Sequence, residues 1–279
     1  MRYLKIISVV LLLAACVQLH AADAGNDRFA VIMLHPTLKD GREWFAQWDK
    51  ERTVKQSGTD PADPLFVNSD GTLQIKDGVA SIKAGITRLR VFSPKDKEGK
   101  YSGPLWTNVE MTVYAKRGPI AKKLNYQSFC LSVRSGEKHS DTKPCDGTSY
   151  HATARFDGKF GFKKEIWHSG GYTDLRPLPT PKPVKTIPED KWIGLKFVCR
   201  NVDGGKHVKL ELYLDAEEKN EWKLVSEYTD KGGWKGEEVG CDRPQDYIIT
   251  EGRPTVYFRT DEVDVEVKKF SVREIAPLP

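Results

Sequence analysis

The chain has 279 residues, 30% of them charged and 39% hydrophobic, and its 44 Lys and Arg against 39 Asp and Glu give a formal net charge of +5. The cations are spread along the whole length, with no basic helix and no recognised binding motif, so nucleic acid is not an expected partner. No low-complexity linker or internal repeat divides the chain, and one β-sandwich or barrel of this length is ordinary.

The N-terminus carries Arg2 and Lys5 ahead of an apolar run, 6–15. A membrane-spanning helix needs about 20 apolar residues, so residues 1–24 read as a secretory signal of bacterial type. Two processing routes stay open. Leu13-Ala14-Ala15-Cys16 resembles a lipobox, in which Cys16 becomes lipid-modified, whereas Leu19-His20-Ala21 or Ala22-Asp23-Ala24 suits an ordinary signal peptidase. The expectation is an exported protein, periplasmic, secreted or an outer-membrane lipoprotein, that meets a membrane only through a lipid on Cys16. Residues 25–279 form the mature domain.

Setting Cys16 aside leaves Cys130, Cys145, Cys199 and Cys241, an even number suited to two disulfides in an oxidising compartment. Three pairings are open, and the reading leans to Cys130 with Cys145 and Cys199 with Cys241. There is no C-x-x-C pair and no His at ligand spacing beside these cysteines, so neither a metal nor another cofactor is expected.

From residue 72 onward, period-two patterning dominates. Strands are expected at 72–75, 80–82, 88–92, 109–116, 128–134, 193–200, 208–214, 223–230, 255–259 and 263–275. Residues 42–56 could form a helical turn or two around Trp44, Phe45 and Trp48. The stretch 150–172, YHATARFDGKFGFKKEIWHSGGY, reads as a β-hairpin turning at Asp157-Gly158, where Gly supplies a positive φ. Its alternation sets His151, Arg155 and Lys163 on the face opposite Phe156 and Phe162. The proline-rich run 176–183 reads as an extended surface loop. Many short strands with one apolar face describe an all-β fold, two antiparallel sheets packed face to face.

Trp106-x-Asn108-Val109-Glu110 leading a long strand, Phe162 to His168, Trp192-Ile193-Gly194-Leu195-Lys196 and the terminal 267–275 resemble secreted concanavalin A-like jelly rolls. That superfamily includes legume-type lectins, laminarin-type glycoside hydrolases and alginate-lyase-type polysaccharide lyases. The resemblance covers most of the mature chain as architecture and implies a jelly-roll sandwich with a concave sheet that binds a sugar chain. Fold alone does not select the activity.

Three functions follow as expectations. The first is a lyase cleaving an acidic polysaccharide by β-elimination, which needs a cation on the uronate carboxylate and a base and an acid flanking the sugar. Arg134, His151, Arg155, Lys163, His168 and Tyr172 supply those types. Arg155 or Arg134 would neutralise the carboxylate, His168 take the proton and Tyr172 protonate the leaving oxygen. The alginate-lyase signature Q-[IV]-H is absent, and its Tyr-Phe-Lys motif finds only a partial echo in Tyr257-Phe258-Arg259. The second is a laminarin- or lichenan-type hydrolase, since Glu262-Val263-Asp264-Val265-Glu266 matches E-x-D-x-E. On one strand the two Glu backbones would lie about 13 Å apart, and their carboxylates could lean towards the roughly 5 Å that retention requires. Its terminal position, running into Lys268-Lys269, favours instead a solvated strand face over a Val stripe. The third is a binding module without catalysis, stacking sugar rings on Trp106, Trp167 and Trp234.

Overall fold

The computed structural model describes residues 25–83, 85–138, 140–177 and 182–276, so the stretch expected to be a signal, with Cys16, and part of the proline-rich run lie outside the described residues. Strands follow one another as Glu43–Phe45 (β1), Arg52–Val54 (β2), Gly58–Asp60 (β3), Asp63–Asn68 (β4), Leu73–Lys76 (β5), Val79–Ile82 (β6), Ile86–Phe92 (β7) and Val109–Arg117 (β8). They continue as Ser128–Ser135 (β9), Ser149–Arg155 (β10), Phe160–Glu165 (β11), Ile193–Val202 (β12), His207–Asp215 (β13), Lys223–Asp230 (β14), Thr255–Asp261 (β15) and Val265–Glu274 (β16). Every strand pairing is antiparallel. Among the described residues they make a nine-stranded sheet, β14-β13-β12-β8-β16-β6-β5-β2 with β1 also on β16, and a seven-stranded sheet, β11-β10-β9-β15-β7-β4-β3. These are the two face-to-face antiparallel sheets that the periodicity implies, in the jelly-roll sandwich that the resemblance implies.

Alternation decides which face meets the core. Val208, Leu210, Leu212 and Leu214 of β13, Leu195, Phe197 and Cys199 of β12, and Val109, Met111, Val113 and Ala115 of β8 line the inner face of the larger sheet. Opposite them stand Phe129, Leu131 and Val133 of β9, Ala152 and Ala154 of β10, Phe160 and Phe162 of β11 and Val256 and Phe258 of β15. The layers touch directly, Phe162 lying 5.9 Å from Phe197 between ring centroids. Burying side chains of this size stabilises by about 1.5–3 kcal/mol each.

The expected helical turns at 42–56 are strands instead. β1 pairs with β16, placing Trp44 opposite Val272, and Trp44 Nε1 donates to Asp63 Oδ2 at 2.6 Å. Trp44 and Trp48 both pack on Phe66 and Phe270. Short edge pairing satisfies the backbone here while both indoles reach the core, which a helix on the surface would not achieve.

The cysteine pairing also differs from the expectation: one disulfide joins Cys145 to Cys241, while Cys130 and Cys199 are buried free thiols. Cys130 sits on the outward side of β9 and Cys199 on the inward side of β12, in different sheets. Their expected partners, Cys145 and Cys241, are bonded to each other instead. The bridge closes a separation of 96 residues and ties two long loops together. Its reduction in native buffer is expected to lower stability by roughly 2–4 kcal/mol, seen as a lower urea midpoint with reductant than without.

Candidate functional site

The hairpin β10–β11 forms in the expected register, with His151 opposite Lys163 and Ala152 opposite Phe162. The connection is longer than a two-residue turn: Arg155 N–H donates to Lys159 O, and Gly158 takes φ +84°, so Phe156 to Gly158 make the loop. The Gly is required there, because a Cβ would come within 2.1 Å of Val184 O.

Cross-strand register then sets polar rows across the outward face of the seven-stranded sheet. One row runs Lys163, His151, Ser132, Tyr257, Arg90 and Val67; the next runs Thr153, Cys130, Arg259 and Arg88. The segment after β11 folds back, with Tyr172 bridging Glu165 and Arg176 bridging Phe162, which brings Tyr172 and Leu175 over the edge. The result is a groove with a cavity of about 260 Å³ lined by Tyr126, Cys130, His151, Thr153, Arg155, Lys163, Tyr172, Arg259 and Asp261, among others.

His151, Arg155, Lys163 and Tyr172 are thus brought together. His168 stands on the other side of Glu165, its Nδ1 2.8 Å from Glu165 Oε1, and lines a neighbouring hollow with Ser69, Arg88, Arg90 and Tyr257. Its ring lies 6.5 Å from that of Tyr172. Arg134 is not part of the groove. β9 carries an extra residue against β15 at this point, and Arg134 takes φ +53°; the side chain is fully buried and donates to the carbonyls of Thr107 and Ile249. A bulge of this kind reverses the side-chain alternation that Ser132 would otherwise extend to it.

Two of the three expected stacking tryptophans are core. Trp106 is fully buried beneath the Arg42 guanidinium, 3.8 Å from its ring centre. Trp234 is also buried, stacked on Tyr150 and edge-on to Tyr228, with its N–H donating to Asp174 O. Trp167 is half-buried and clamped by Gly170, Gly171 and Gly240, where any Cβ would collide with it. The exposed aromatic face at the groove belongs to Tyr126, 55% exposed.

The E-x-D-x-E reading does not hold. Glu262 lies before β16 in a left-handed turn, φ +58°, so it does not share a strand face with Glu266. Glu266 pairs with Lys116 at 2.7 Å on the nine-stranded sheet, over the buried stripe of Val263, Val265 and Val267.

Sequence reasoning missed Arg259, Tyr126, Cys130 and Glu165. Arg259 and Tyr257 fall on the polar side of a clean alternation, a signal present in the partial Tyr257-Phe258-Arg259 echo. What places them beside β9 is register, which a single strand does not encode.

The electrostatics are dense. Arg155 pairs with Asp157 at 2.9 Å, Arg259 with Asp261 at 3.0 Å, and Arg88 with Asp70 at 3.0 Å, while Lys163 is exposed. His151 Nδ1 lies 2.7 Å from Ser132 Oγ and its Nε2 2.8 Å from Ser149 Oγ, with Glu165 Oε2 3.4 Å from Nε2. Burial alone would discharge this imidazole, but Tyr257, Cys130 and Glu165 outweigh it and raise its pKa well above the ordinary value. Burial and the adjacent Glu165 carboxylate raise the Tyr172 phenol, which stays an O–H donor. Among the described residues no group of three or more His, Cys, Asp or Glu is gathered to hold a metal ion.

No protein-family model matches the chain. No curated protein matches it either. Solved structures do resemble it at low identity. The exoplasmic/lumenal domain of VIP36 in its Ca2+-bound form is 10% identical, with a TM-score of 0.44 over 84% of this chain and 93% of that one. Lectin UEA-II complexed with galactose is 8% identical, with a TM-score of 0.40 over 81% and 98%. Lectin II from Ulex europaeus is 7% identical, with a TM-score of 0.38 over 83% and 97%. The likeness is one of architecture, and the functional argument rests on the groove itself.

Proposed function

We propose that this chain is an exported, glycan-binding jelly roll whose ligand is an acidic polysaccharide laid across the outward face of the seven-stranded sheet. The observation that carries the reading is the groove in which Arg155, Lys163 and Arg259 stand beside the rings of Tyr126 and Tyr172. Guanidinium groups take carboxylate or sulfate in charge-assisted, two-point contacts, and sugar rings stack on flat aromatic faces. Arg88 and Arg90 extend the cationic face beyond the cavity, as the length of a polymer requires. Arg155, Arg259 and Arg88 each keep an aspartate, and Arg90 the carbonyls of Gly136 and Glu137, that fix the guanidinium plane before the ligand arrives. The disulfide, and the reading of residues 1–24 as a secretory signal, support action outside the cytoplasm.

Binding should be read against a panel of polyuronides, sulfated glycans and neutral glucans. Acidic chains are expected to bind, more weakly as salt rises, and Arg259→Ala to lower their affinity about tenfold or more, since it deletes a charged contact of about 1.5–3 kcal/mol and leaves Asp261 facing the ligand. Equal affinity for neutral and acidic chains, or an unchanged Arg259→Ala, sinks the proposal.

A second reading, β-elimination, is favoured by the contact of His168 with Tyr172 and by the Glu165 carboxylate on His168 Nδ1, a base oriented by a carboxylate beside a phenol donor. In this reading Arg88 and Arg90, rather than Arg134, neutralise the uronate. Growth of ultraviolet absorbance from the unsaturated product, lost in His168→Ala, would establish a lyase. Binding with no absorbance change leaves the non-catalytic reading.

A further inference from the structure

The floor of the groove holds a chemical group that glycan binding does not use. Cys130 Sγ lies 3.8 Å from His151 Nδ1 and 3.5 Å from Ser132 Oγ, and Ser132 Oγ in turn lies 2.7 Å from the same Nδ1. On the far side of the ring, Nε2 meets Ser149 and the fully buried Glu165 carboxylate, which also holds His168. Thiol, imidazole and carboxylate thus stand in line, each on a different strand of a rigid sheet: β9, β10 and β11. Cys130 is 7% exposed and lines the groove.

We propose that Cys130 is a reactive thiol, a site of thiol–disulfide exchange for small disulfides that enter the groove. The imidazolium of His151 stabilises the thiolate, Ser132 hydrogen-bonds it, and Glu165 keeps the imidazole charged. Arg259 stands opposite Cys130 on β15, Tyr257 lies edge-on to the His151 ring at 6.3 Å, and Arg155, Lys163 and Tyr172 form the walls above. Burial opposes the thiolate, yet His151, Ser132 and Arg259 outweigh it and lower the thiol below its ordinary range. In the exchange, the Cys130 thiolate attacks one sulfur of R–S–S–R, the S–S bond breaks, and a Cys130–S–S–R bond forms. The departing R–S⁻ takes up the proton that His151 releases once its counter-charge is gone. No oxidant beyond the disulfide itself is needed.

The second free thiol is an internal control. Cys199 is fully buried between the sheets, and burial raises its pKa to about 11. The two cysteines should therefore differ sharply in one sample. A bulky adduct on Cys130 would fill the cavity and displace a bound acidic chain, a consequence that rests on the glycan reading above.

The experiment labels the folded protein with 5,5′-dithiobis(2-nitrobenzoate) and with iodoacetamide, mapping adducts by mass. One equivalent is expected, on Cys130, with Cys199 modified only after unfolding. Between pH 7.5 and 5.5 an ordinary thiol loses about 100-fold in alkylation rate, because its thiolate fraction falls tenfold per unit. Cys130 should lose less than that, and His151→Gln should restore the steep profile. No labelling of the folded protein, or a wild-type profile as steep as an ordinary thiol's, overturns the inference. If His151→Gln also exposes Cys199, the variant is unfolded and the wild-type profile alone decides. Saturating acidic polysaccharide should slow the labelling. Rapid labelling at a flat pH profile with no such protection upholds the thiol and overturns the placement of the glycan.

Discussion

Glu110→Gln is expected to destabilise the protein by about 3–5 kcal/mol, the cost of removing one partner from a buried ion pair and leaving charge behind. Glu110, on the outward side of β8, is fully enclosed, with Lys196 Nζ 2.9 Å from Oε1 and Arg273 Nη2 3.0 Å from Oε2. It also accepts the amides of Leu34 and His35, so the N-terminal segment is pinned over the nine-stranded sheet by the same carboxylate. Gln keeps the shape and loses the charge, leaving two cations in a dry site. Urea unfolding of the two proteins at neutral pH measures the difference. The acid limb gives a second reading. Burial opposes the charged carboxyl, but Lys196, Arg273 and the Leu34 amide outweigh it and hold its pKa below the ordinary value. A depressed folded pKa stabilises fully above the unfolded value of about 4.3 and loses that stability as pH falls through the folded one. The wild type should therefore lose stability below about pH 4, and the Gln variant should lack that share of the loss. A variant within 1 kcal/mol of the wild type would mean that solvent reaches the pair.

The strands that the sequence makes legible are those whose two faces see different surroundings. In β13, Val208, Leu210, Leu212 and Leu214 meet the core while Lys209 and Tyr213 face away, and the period-two signal is correspondingly clean. β1, β2 and β3 are three residues each, too short for any period to show, and the Trp44, Phe45, Trp48 spacing there imitates a helical stripe. Arg134 was unreadable for a different reason. A single bulge in β9 inverts the face of the residue after it, and nothing in the local residue types announces the insertion. His151, Arg155 and Lys163 were legible because one hairpin carries all three, so their shared face follows from local alternation. Arg259 and Cys130 enter the same groove through the pairing of β9 with β15, a contact between residues 129 positions apart, and only the fold supplies it. The disulfide is similar: Cys145 and Cys241 meet because the loops after β9 and β14 end on one side of the sandwich.

Trp234→Ala should cost about 3–5 kcal/mol of stability while leaving the affinity of the folded fraction for an acidic glycan unchanged. The Gly232-Gly233 pair ahead of it suggests an exposed loop tip, yet both glycines take positive φ, +86° and +73°, and the turn they permit drives the indole inward. There it stacks at 6.3 Å on Tyr150 and meets Tyr228 at 4.9 Å, and the Lys164 ammonium lies 5.3 Å from its ring centre. That ammonium is itself buried, bonded to Asp230 and to the Tyr247 carbonyl, and Tyr150 donates to the same Asp230 oxygen. Removing the ring opens a cavity beside a buried ion pair, so packing and electrostatic losses add in one direction. Arg259→Ala should give the opposite pattern, a small change in stability and a large loss of glycan affinity, because Arg259 acts at the groove and Trp234 beneath the sheet. Measuring unfolding and binding on both variants separates the two roles. A Trp234→Ala protein with an unchanged urea midpoint and lost affinity would put the indole at the surface as a sugar platform, against the packing described above.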